Sequence, residues 1–342
     1  MAYDGVLLNC VVTELYDKII DKRIEKIYQP EKDEIHLHLR SREGVLKIIL
    51  SASANNPRIH LLNSSKSNPL TPPMFCMLLR KHLGGGRIVD VVQPQLERIV
   101  EIYIENINEL GDLVVKKLII EIMGRHSNII LVDDTEKIID SIKRVTKAIS
   151  RIRQVLPGKT YVYPPSQGKR NPLEETLVSL YTFFESINTN KKLENVILQN
   201  FMGISRATAA EIVYRAEYDN MKISQNLKEE QIKAVCHAFI DFFEAVKNKQ
   251  FCPTLLKDEK GYPVDIFPFL YFQYEQNRQQ HYPSVSEMLE TYYSQRDKLE
   301  RIHQRSSYLL RLLKTNLERC QKKLVIQLEE LQQAKEADKF RL

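Results

Sequence analysis

The sequence predicts an α+β protein in three parts: a β-rich N-terminal domain, a helical domain and a long helix. Three observations predict this division. Apolar residues alternate with period two in several segments between residues 34 and 132, which is typical of strands. Prolines and glycines cluster between residues 157 and 168, and helical spacing dominates after them. A polar helical pattern of nearly 60 residues closes the chain, so we expect domains at residues 1–172, 173–282 and 283–342.

The N-terminal domain is predicted to begin with a helix over residues 5–20, with Asp4 as its N-cap. A second helix is expected after Thr71, which would cap it, with Pro72 and Pro73 in its first turn and three glycines from Gly84 to stop it. The predicted strands of this domain cover residues 34–40, 45–50, 58–62, 98–104, 113–123 and 128–132.

In the second domain, helices over residues 191–200 and 206–217 flank Gly203-Ile204-Ser205, and another is expected over 231–248. Residues 251–272 are rich in aromatic side chains and contain three prolines, which predicts that the chain runs back after the helices as a strand and a loop. This arrangement around Gly203 is typical of a helix-hairpin-helix turn, whose backbone amides can point at a phosphate. A plain loop between two helices is the alternative.

The last segment begins with a capping box, Ser284 to Glu287, behind Pro283. Its apolar residues step by three or four, as in a coiled coil; they are Leu310, Leu313, Leu317, Cys320, Leu324, Leu328 and Leu331. Because the pattern is still running at Leu342, we expect the chain to be a fragment whose partner strand lies further on, forming an antiparallel hairpin. Self-association through the seam is the alternative.

Residues 143–170 carry eight basic side chains and no acidic one. The first 170 residues hold 26 Lys plus Arg against 20 Asp plus Glu, so the net charge of +6 falls in this half. A one-sign run of this length attracts a phosphate backbone. A solvated linker without a partner is the alternative; the neighbouring motifs favour nucleic acid.

Composition excludes several other classes of protein. The five cysteines are widely spaced and lack a CxxC pair, which indicates free thiols in a reducing cytoplasm and gives no familiar zinc site. We find no secretory leader and no apolar run that would cross a membrane. No catalytic or cofactor motif stands out, since Ser127 lacks a nucleophile elbow and no phosphate-binding glycine loop occurs.

Several short groups of polar residues have two interpretations. The turn Gly124-Arg125-His126-Ser127-Asn128 between two apolar strands is either an RNA contact or a simple hairpin turn. Arg80-Lys81-His82 ends a helix, where cations favour the helix dipole without any ligand. Glu97-Arg98 begins a strand and is either a functional pair or a surface ion pair of little energetic value.

Taken together these segments resemble the N-terminal half of the RqcH family, also called NEMF-like, NFACT or FbpA (fibronectin-binding protein A) proteins. The resemblance runs in order through the whole chain. It rests on Asp4-Gly5, residues 73–82 (PMFCMLLRKH), Glu97-Arg98, residues 121–131 (EIMGRHSNIIL), residues 153–165 with Leu156-Pro157-Gly158, Tyr161 and Pro164-Pro165, and the Pro283 entry to the last helix.

The resemblance implies an N-terminal domain with the fold of formamidopyrimidine DNA glycosylases, a helix-hairpin-helix domain, a coiled coil, and a C-terminal RNA-binding domain beyond this chain. It implies a ribosome-associated quality-control factor in the cytoplasm that binds the large ribosomal subunit, its rRNA and the stalled peptidyl-tRNA. Such a factor recruits alanyl-tRNA for alanine tailing. The ribosome performs peptidyl transfer, so no catalytic site, cofactor or metal is expected.

The resemblance also implies site residues. Glu97 and Arg98 stand where the family has an Asp-Arg pair associated with tRNA recruitment, with the carboxylate one methylene further out. The remaining candidates for tRNA are Asp4, Arg125, His126, Ser127 and Asn128. Candidates for RNA phosphates are Arg80, Lys81, Lys143, Arg144, Lys147, Arg151, Arg153, Gly203 and Ser205.

Three rival functions are weighed. A DNA glycosylase would need an N-terminal proline nucleophile and zinc-finger cysteines, whereas this chain starts Met-Ala-Tyr and lacks them. A fibronectin-binding surface adhesin would need export without a recognisable leader. A generic RNA-binding scaffold is the third.

Overall fold

The computed structural model describes residues 3–107, 111–165, 167–217 and 227–338. The chain divides into two compact units, Met1–Tyr292 and Tyr293–Leu342. The predicted domain boundaries at residues 172 and 282 stay predictions.

Nine antiparallel strands form one sheet in the first unit, in the order β4-β3-β2-β1-β5-β6-β7-β8-β9. Arg23 pairs with Arg87 between β1 and β5, and backbone hydrogen bonds between residues 21–24 and 85–88 flank this pair, so the sheet consists of two meanders joined over a short stretch. The strands are β1 (Arg23–Glu31), β2 (Glu34–Ser41), β3 (Gly44–Ser51), β4 (Arg58–Leu61), β5 (Arg87–Val92), β6 (Ile99–Ile107), β7 (Leu113–Glu121), β8 (Asn128–Val132) and β9 (Ile138–Ser141).

The first helix, α1 (Gly5–Ile19), contacts both meanders, through β4 in one and β5 in the other. Nine of its fifteen residues are buried, because apolar residues occupy positions three and four apart around the side facing the sheet. The predicted cap is confirmed, since Asp4 accepts a hydrogen bond of 2.9 Å from the Leu7 amide. One core of this unit therefore forms around α1.

Helix α2 (Met74–Leu83) starts later than predicted. Its N-cap is Pro73 and no side chain caps it, so the predicted cap at Thr71 is wrong. Pro73 disfavours helical angles at Pro72, the residue before it. Pro73 itself is extended, with φ −61° and ψ 156°, so the helix starts at Met74. The predicted stop is confirmed, because Gly84 is the C-cap.

Among the described residues, four further helices and a small sheet follow in the first unit. The helices are α3 (Leu177–Glu185), α4 (Leu193–Asn200), α5 (Arg206–Arg215) and α6 (Glu229–Lys247). The sheet has the order β11-β10-β12, with β10 (Thr254–Lys257), β11 (Pro263–Phe267) and β12 (Gln279–His281). These elements share a core rich in phenylalanine, in which Phe201, Phe239, Phe242 and Phe243 are almost completely buried.

The last helix, α7 (Val285–Asp338), begins as predicted behind Ser284, whose hydroxyl accepts a hydrogen bond from the Glu287 amide. In the second unit the predicted seam is solvent-exposed, with its leucines between 51% and 63% accessible. Pairing of this helix in a coiled coil stays a prediction. Within the described ranges, none of the helices combines the length and apolar character that a membrane-spanning segment needs.

Candidate nucleic-acid interface

The N-terminus of α1 is joined to the turn between α4 and α5 by backbone hydrogen bonds. The amides of Gly5 and Val6 both donate to the carbonyl of Gly203, at 2.9 and 3.2 Å. These amides belong to the first turn of α1, where backbone amides have no hydrogen-bond acceptor within the helix itself. The turn at residues 201–205 therefore completes the hydrogen bonding of α1.

The Asp4 carboxylate makes the reciprocal connection. One oxygen caps α1, and the other accepts hydrogen bonds from the Ser205 amide at 3.0 Å and from the Thr208 hydroxyl at 2.7 Å. The Tyr271 hydroxyl lies 2.9 Å from that of Thr208, and burial raises the pKa of Tyr271 well above its usual value. With 6% of its surface accessible, Asp4 is a structural link rather than an open RNA contact.

Both glycines at this junction are required by close backbone packing. A Cβ on Gly5 would lie 2.0 Å from the carbonyl oxygen of Leu96, and a Cβ on Gly203 would lie 2.6 Å from the Cβ of Leu96. Gly203 also has a φ of +70°, in the region that favours glycine. The loop before β6 can thus lie directly on the junction.

That loop carries Glu97 and Arg98. The Gln93 side chain holds it in place by donating to the carbonyls of Gly5 and Glu97, both at 2.9 Å. At the other end, the Ile122 amide donates to the carbonyl of Arg98, which fixes the loop to β7. Glu97 is exposed and Arg98 half-buried, so both side chains reach a surface held by rigid elements.

A cleft of about 510 Å³ lies where these segments meet. Five of the predicted site residues line it: Asp4, Glu97, Arg98, Gly203 and Ser205. Residues that the sequence did not single out individually for this site complete it, chief among them Lys169 and Arg206. Arg98, Lys169 and Arg206 give the cleft three cationic side chains beside the single exposed carboxylate of Glu97.

Lys169 is held at the wall of the cleft by a hydrogen bond of 2.8 Å from its ammonium group to the carbonyl of Leu198. Burial lowers the pKa of Lys169, and the positive charge of Arg98 lowers it further. Two cations so close together favour an anion between them. Two of the amides at the start of α5 already have acceptors in the protein, since Ser205 donates to Asp4 and Thr208 donates to Ser205. The side chains of Arg98, Lys169 and Arg206 are therefore the main candidates for anion binding in this cleft.

The turn at residues 124–128 is a short 3₁₀ helix between β7 and β8. Ser127 and Asn128 are buried: the Ser127 hydroxyl accepts from the Met123 amide, and the Asn128 side chain bonds both backbone groups of Lys143. Their predicted direct contact with RNA is at odds with this burial. Arg125 and His126 are exposed and hydrogen-bonded to each other at 3.0 Å, so this surface remains open.

Much of the basic run covers the sheet. Arg153 forms a two-point ion pair with buried Glu121, at 2.6 and 2.9 Å, and lies over the ring of Tyr161, whose hydroxyl also donates to Glu121. The Tyr163 hydroxyl donates to Glu101. We call residues 143–165 the cover segment, because Val155 and Tyr161 pack on the apolar face formed by Ile99, Ile119 and Ile130. The part around Arg153, Val155 and Tyr161 does not fit a solvated linker, whereas Lys147, Arg151 and Lys159 are exposed.

The other predicted phosphate contacts differ in the placement of their side chains. Lys143 donates to the carbonyl of Ala52, Arg144 pairs with Asp140 at 2.9 Å, and Arg80 donates to the carbonyl of Ile27. The side chains of Lys81, Lys147 and Arg151 are exposed. Arg153 and Lys143 are thus committed to the fold, and the exposed members lie outside the cleft lining.

A family profile described as NFACT N-terminal and middle domains matches residues 4–342. The chain belongs to the NFACT family. Among NFACT relatives, it is 36% identical over 98% of its length to "Rqc2 homolog RqcH" of Bacillus subtilis, and 34% identical over its full length to the protein of that name from Streptococcus suis. A more distant relative is "Ribosome quality control complex subunit NEMF" of Homo sapiens, 22% identical over 99% of the chain. The chain spans 57% of the length of each of the two bacterial relatives.

Solved structures of similar proteins agree with this fold. The N-terminal part of the fibronectin/fibrinogen-binding protein from Streptococcus suis matches with a TM-score of 0.72 and 33% identity, over 86% of this chain and 99% of that one. The fibrinogen binding protein from Staphylococcus aureus matches with the same TM-score and coverage at 30% identity. The α+β class with a large antiparallel sheet is confirmed; the glycosylase-like fold of the N-terminal domain stays a prediction.

Sequence reasoning identified Asp4, Glu97, Arg98, Gly203 and Ser205 one by one, but not as neighbours. Their meeting depends on contacts across some 200 positions of the chain, as between Asp4 and Ser205. Arg206 directly follows the N-cap of α5, so its position at the turn could be predicted from the sequence once that turn was assigned. For Lys169 the sequence indicated only that it belongs to the basic run, and not that it lines the cleft.

Proposed function

We propose that this chain is the RNA-binding portion of a cytoplasmic ribosome-associated quality-control factor. It would bind the large ribosomal subunit that carries a stalled peptidyl-tRNA, contact tRNA and rRNA, and recruit alanyl-tRNA for alanine tailing. The observation that carries the proposal is the cleft, where Arg98, Lys169 and Arg206 meet beside Glu97. The names of the RqcH and NEMF relatives support the biological setting.

The proposed mechanism is one of binding and positioning. Cationic side chains provide affinity for phosphates that depends on salt, while the shape of the cleft selects the RNA. Arg98 would make a planar, two-point contact to a phosphate or a base edge, and Glu97 would orient Arg98 or accept from a base amine. The ribosome would supply the peptidyl-transfer chemistry, so the factor would need no catalytic residue or cofactor of its own.

The test is binding of the purified chain to labelled alanyl-accepting tRNA and to a non-cognate tRNA across a salt series. We expect Arg98→Ala to weaken binding roughly tenfold and to reduce the slope of log affinity against log salt by about 1. Arg42→Ala is the matched control, because it removes the same charge from an exposed position in the β2–β3 turn. An unchanged affinity in a folded Arg98→Ala protein contradicts the assignment.

The comparison of the two tRNAs separates selection from simple attraction. A preference for alanyl-accepting tRNA that is lost in Arg98→Ala supports selection at the cleft. Equal and steeply salt-dependent binding of both tRNAs supports the third rival, a generic RNA-binding surface, and assigns the selection to other parts of the factor or the ribosome.

A further inference from the structure

A second concave site lies along the same face of α1, some distance from the cleft. We call it the Tyr16 groove; it has a volume of about 260 Å³. Its floor is apolar, formed by Val12, Val91, Leu173 and Val246, and its rim carries Asn9, Thr13, Tyr16, Lys247 and Lys249. An apolar floor with a few polar groups and an aromatic wall is typical of a site for a small planar group.

The aromatic and cationic side chains of the groove are arranged together. Tyr16 is 46% exposed, and the ammonium group of Lys249 lies 5.9 Å from the centre of its ring. Lys247 and Lys249 are both exposed. An exposed ring beside lysines is the combination that binds single-stranded nucleic acid, since the ring stacks on a base and the lysines contact phosphates.

The backbone at Lys249 is a second, independent observation. Helix α6 ends in a Schellman motif: the Lys249 amide donates to the carbonyl of Val246, and the Gln250 amide to that of Ala245. The motif places Lys249 at φ +55°, a position where glycine is the usual residue. A positive charge at a helix C-terminus favours the dipole, but Lys247 already supplies one. From this left-handed turn the Lys249 side chain extends to Tyr16, with its ammonium group 5.9 Å from the ring centre.

The groove and the cleft are connected. Asn9 on the rim of the groove donates to the Gln93 side chain at 3.0 Å, and Gln93 in turn holds the loop that carries Glu97. Asp4 at the cleft and Tyr16 at the groove are twelve residues apart on one helix, or about 18 Å along its axis. One RNA strand can therefore extend from one site to the other.

We propose that the Tyr16 groove binds an unpaired nucleotide of the RNA whose phosphates occupy the cleft, with the base stacked on Tyr16 and the adjoining phosphates on Lys247 and Lys249. The proposal rests on the proposed function, because it assumes that the cleft binds RNA. It adds a contact made by stacking, which depends little on salt or on base identity.

The test uses the complete chain and a short unstructured RNA that carries the fluorescent base 2-aminopurine. We expect the fluorescence of the wild-type complex to be quenched by stacking, and Tyr16→Ala to lose the quenching and weaken binding roughly tenfold. Tyr16→Phe should keep both, since it retains the ring. Tyr262→Ala is the matched control, because Tyr262 is 59% exposed and lies between β10 and β11.

The Lys249→Gly variant provides a second measurement, in which the Tyr16 ring is retained. It should weaken RNA binding several-fold and lower the salt slope by about 1. If Tyr16→Ala binds and quenches like the wild type while Arg98→Ala binds more weakly, the groove proposal is overturned and the cleft stands. If the wild-type chain binds no RNA, both proposals fall.

Discussion

At the scale of single residues, the junction of Gly5, Leu96 and Gly203 is the tightest packing at the candidate site. Backbone atoms of three segments meet where a methyl group has no room. Interiors at this density cannot absorb an extra carbon without displacing their neighbours. The shape of the cleft therefore depends on residues that do not themselves contact a ligand by a side chain.

Gly203→Ala should lower the free energy of unfolding by about 2–5 kcal/mol, because it adds a clash with Leu96 to the cost of a positive φ. Gly158→Ala is the control for the backbone cost alone. Gly158 has a φ of +78° with nothing near its missing Cβ, and we expect a loss of about 1–2 kcal/mol. Denaturant unfolding of the two variants measures the difference; equal losses would contradict the packing argument.

Two buried residues of the sheet should make the first unit sensitive to acid. Burial lowers the pKa of His60 from 6.5 to about 3, and the neighbouring charge of Arg58 adds to the effect. The hydrogen bonds fit a neutral ring, which accepts from Arg58 at one nitrogen and donates to the carbonyl of Leu61 at the other. For Glu34, burial would raise the pKa, but hydrogen bonds and ion pairs with His36 and Lys66 outweigh it and lower the pKa from 4.5 to about 2.

In both cases the unfolded chain binds a proton before the folded chain does. Stability should therefore fall as pH decreases, from 6.5 towards 3 through His60 and from 4.5 towards 2 through Glu34. We expect His60→Gln to flatten the pH dependence of the unfolding free energy between pH 6.5 and 4.5 by about 1.4 kcal/mol per pH unit. A slope equal to that of the wild type would count against the neutral ring.

At the scale of elements, the packing of the cover segment separates basic residues that pair within the fold from those that stay exposed. Its charges looked uniform in sequence, yet the fold pairs Arg153 with Glu121, 32 positions earlier, and leaves Arg151 exposed. Charge alone cannot separate the two, because the partner of Arg153 is set by how the segment packs on the sheet.

We expect Arg153→Ala to cost about 3 kcal/mol in unfolding free energy, because it leaves the Glu121 carboxylate buried without its cation, still bonded to the Tyr161 hydroxyl. The same change at exposed Arg151 should cost less than about 0.5 kcal/mol. Thermal unfolding and limited proteolysis within residues 143–165 would measure both. Similar behaviour of the two variants would mean that the ion pair does not hold the segment.

The strands and helices with regular periodicity were predictable from sequence, and the irregular ones were not. Strands β2, β3 and β8 agree closely with their predicted ranges. Strand β1 was missed because register shifts between Ile24 and Lys26 and again after Tyr28 interrupt its alternation, and Pro30 lies within it. Strand β5 was missed because it is short and has a shift between Ile88 and Asp90. Helix α3 was also missed, although Thr176 caps it with a complete capping box.

At the scale of the whole molecule, the first turns of α7 belong to the first unit. The Ser284 and Ser286 side chains bond the Glu14 carboxylate, and Ser286 also accepts from the Leu61 amide at 3.0 Å. Val285, Met288, Leu289 and Tyr292 are buried. The helix therefore serves both units, and its role changes near residue 293.

A chain ended after Ser294 should unfold with the same midpoint as the complete chain. One ended after Tyr282 should lose at least about 5 kcal/mol, because four apolar side chains and the bonds to Glu14 are removed. Calorimetry of the three chains tests this. Equal stability of the two shortened chains would contradict the assignment of these turns.

The exposed seam has a separate consequence at this scale. The complete chain should self-associate with increasing concentration in sedimentation, whereas the chain ended after Ser294 should stay monomeric, because it lacks the exposed leucines from Leu309 to Leu331. Monomeric behaviour of both at high concentration would contradict pairing between copies.

The contacts of Asp4 at this junction can form only late in the synthesis of the chain. Asp4 and Gly5 leave the ribosome first, but their partners at Gly203, Ser205 and Thr208 follow about 200 residues later. At ordinary rates of synthesis that delay is about 10–40 s, and pairings so distant in sequence also slow folding itself. A ribosome halted before residue 203 would hold a nascent chain that contains Asp4 and Gly5, while the turn that completes the cleft is not yet translated.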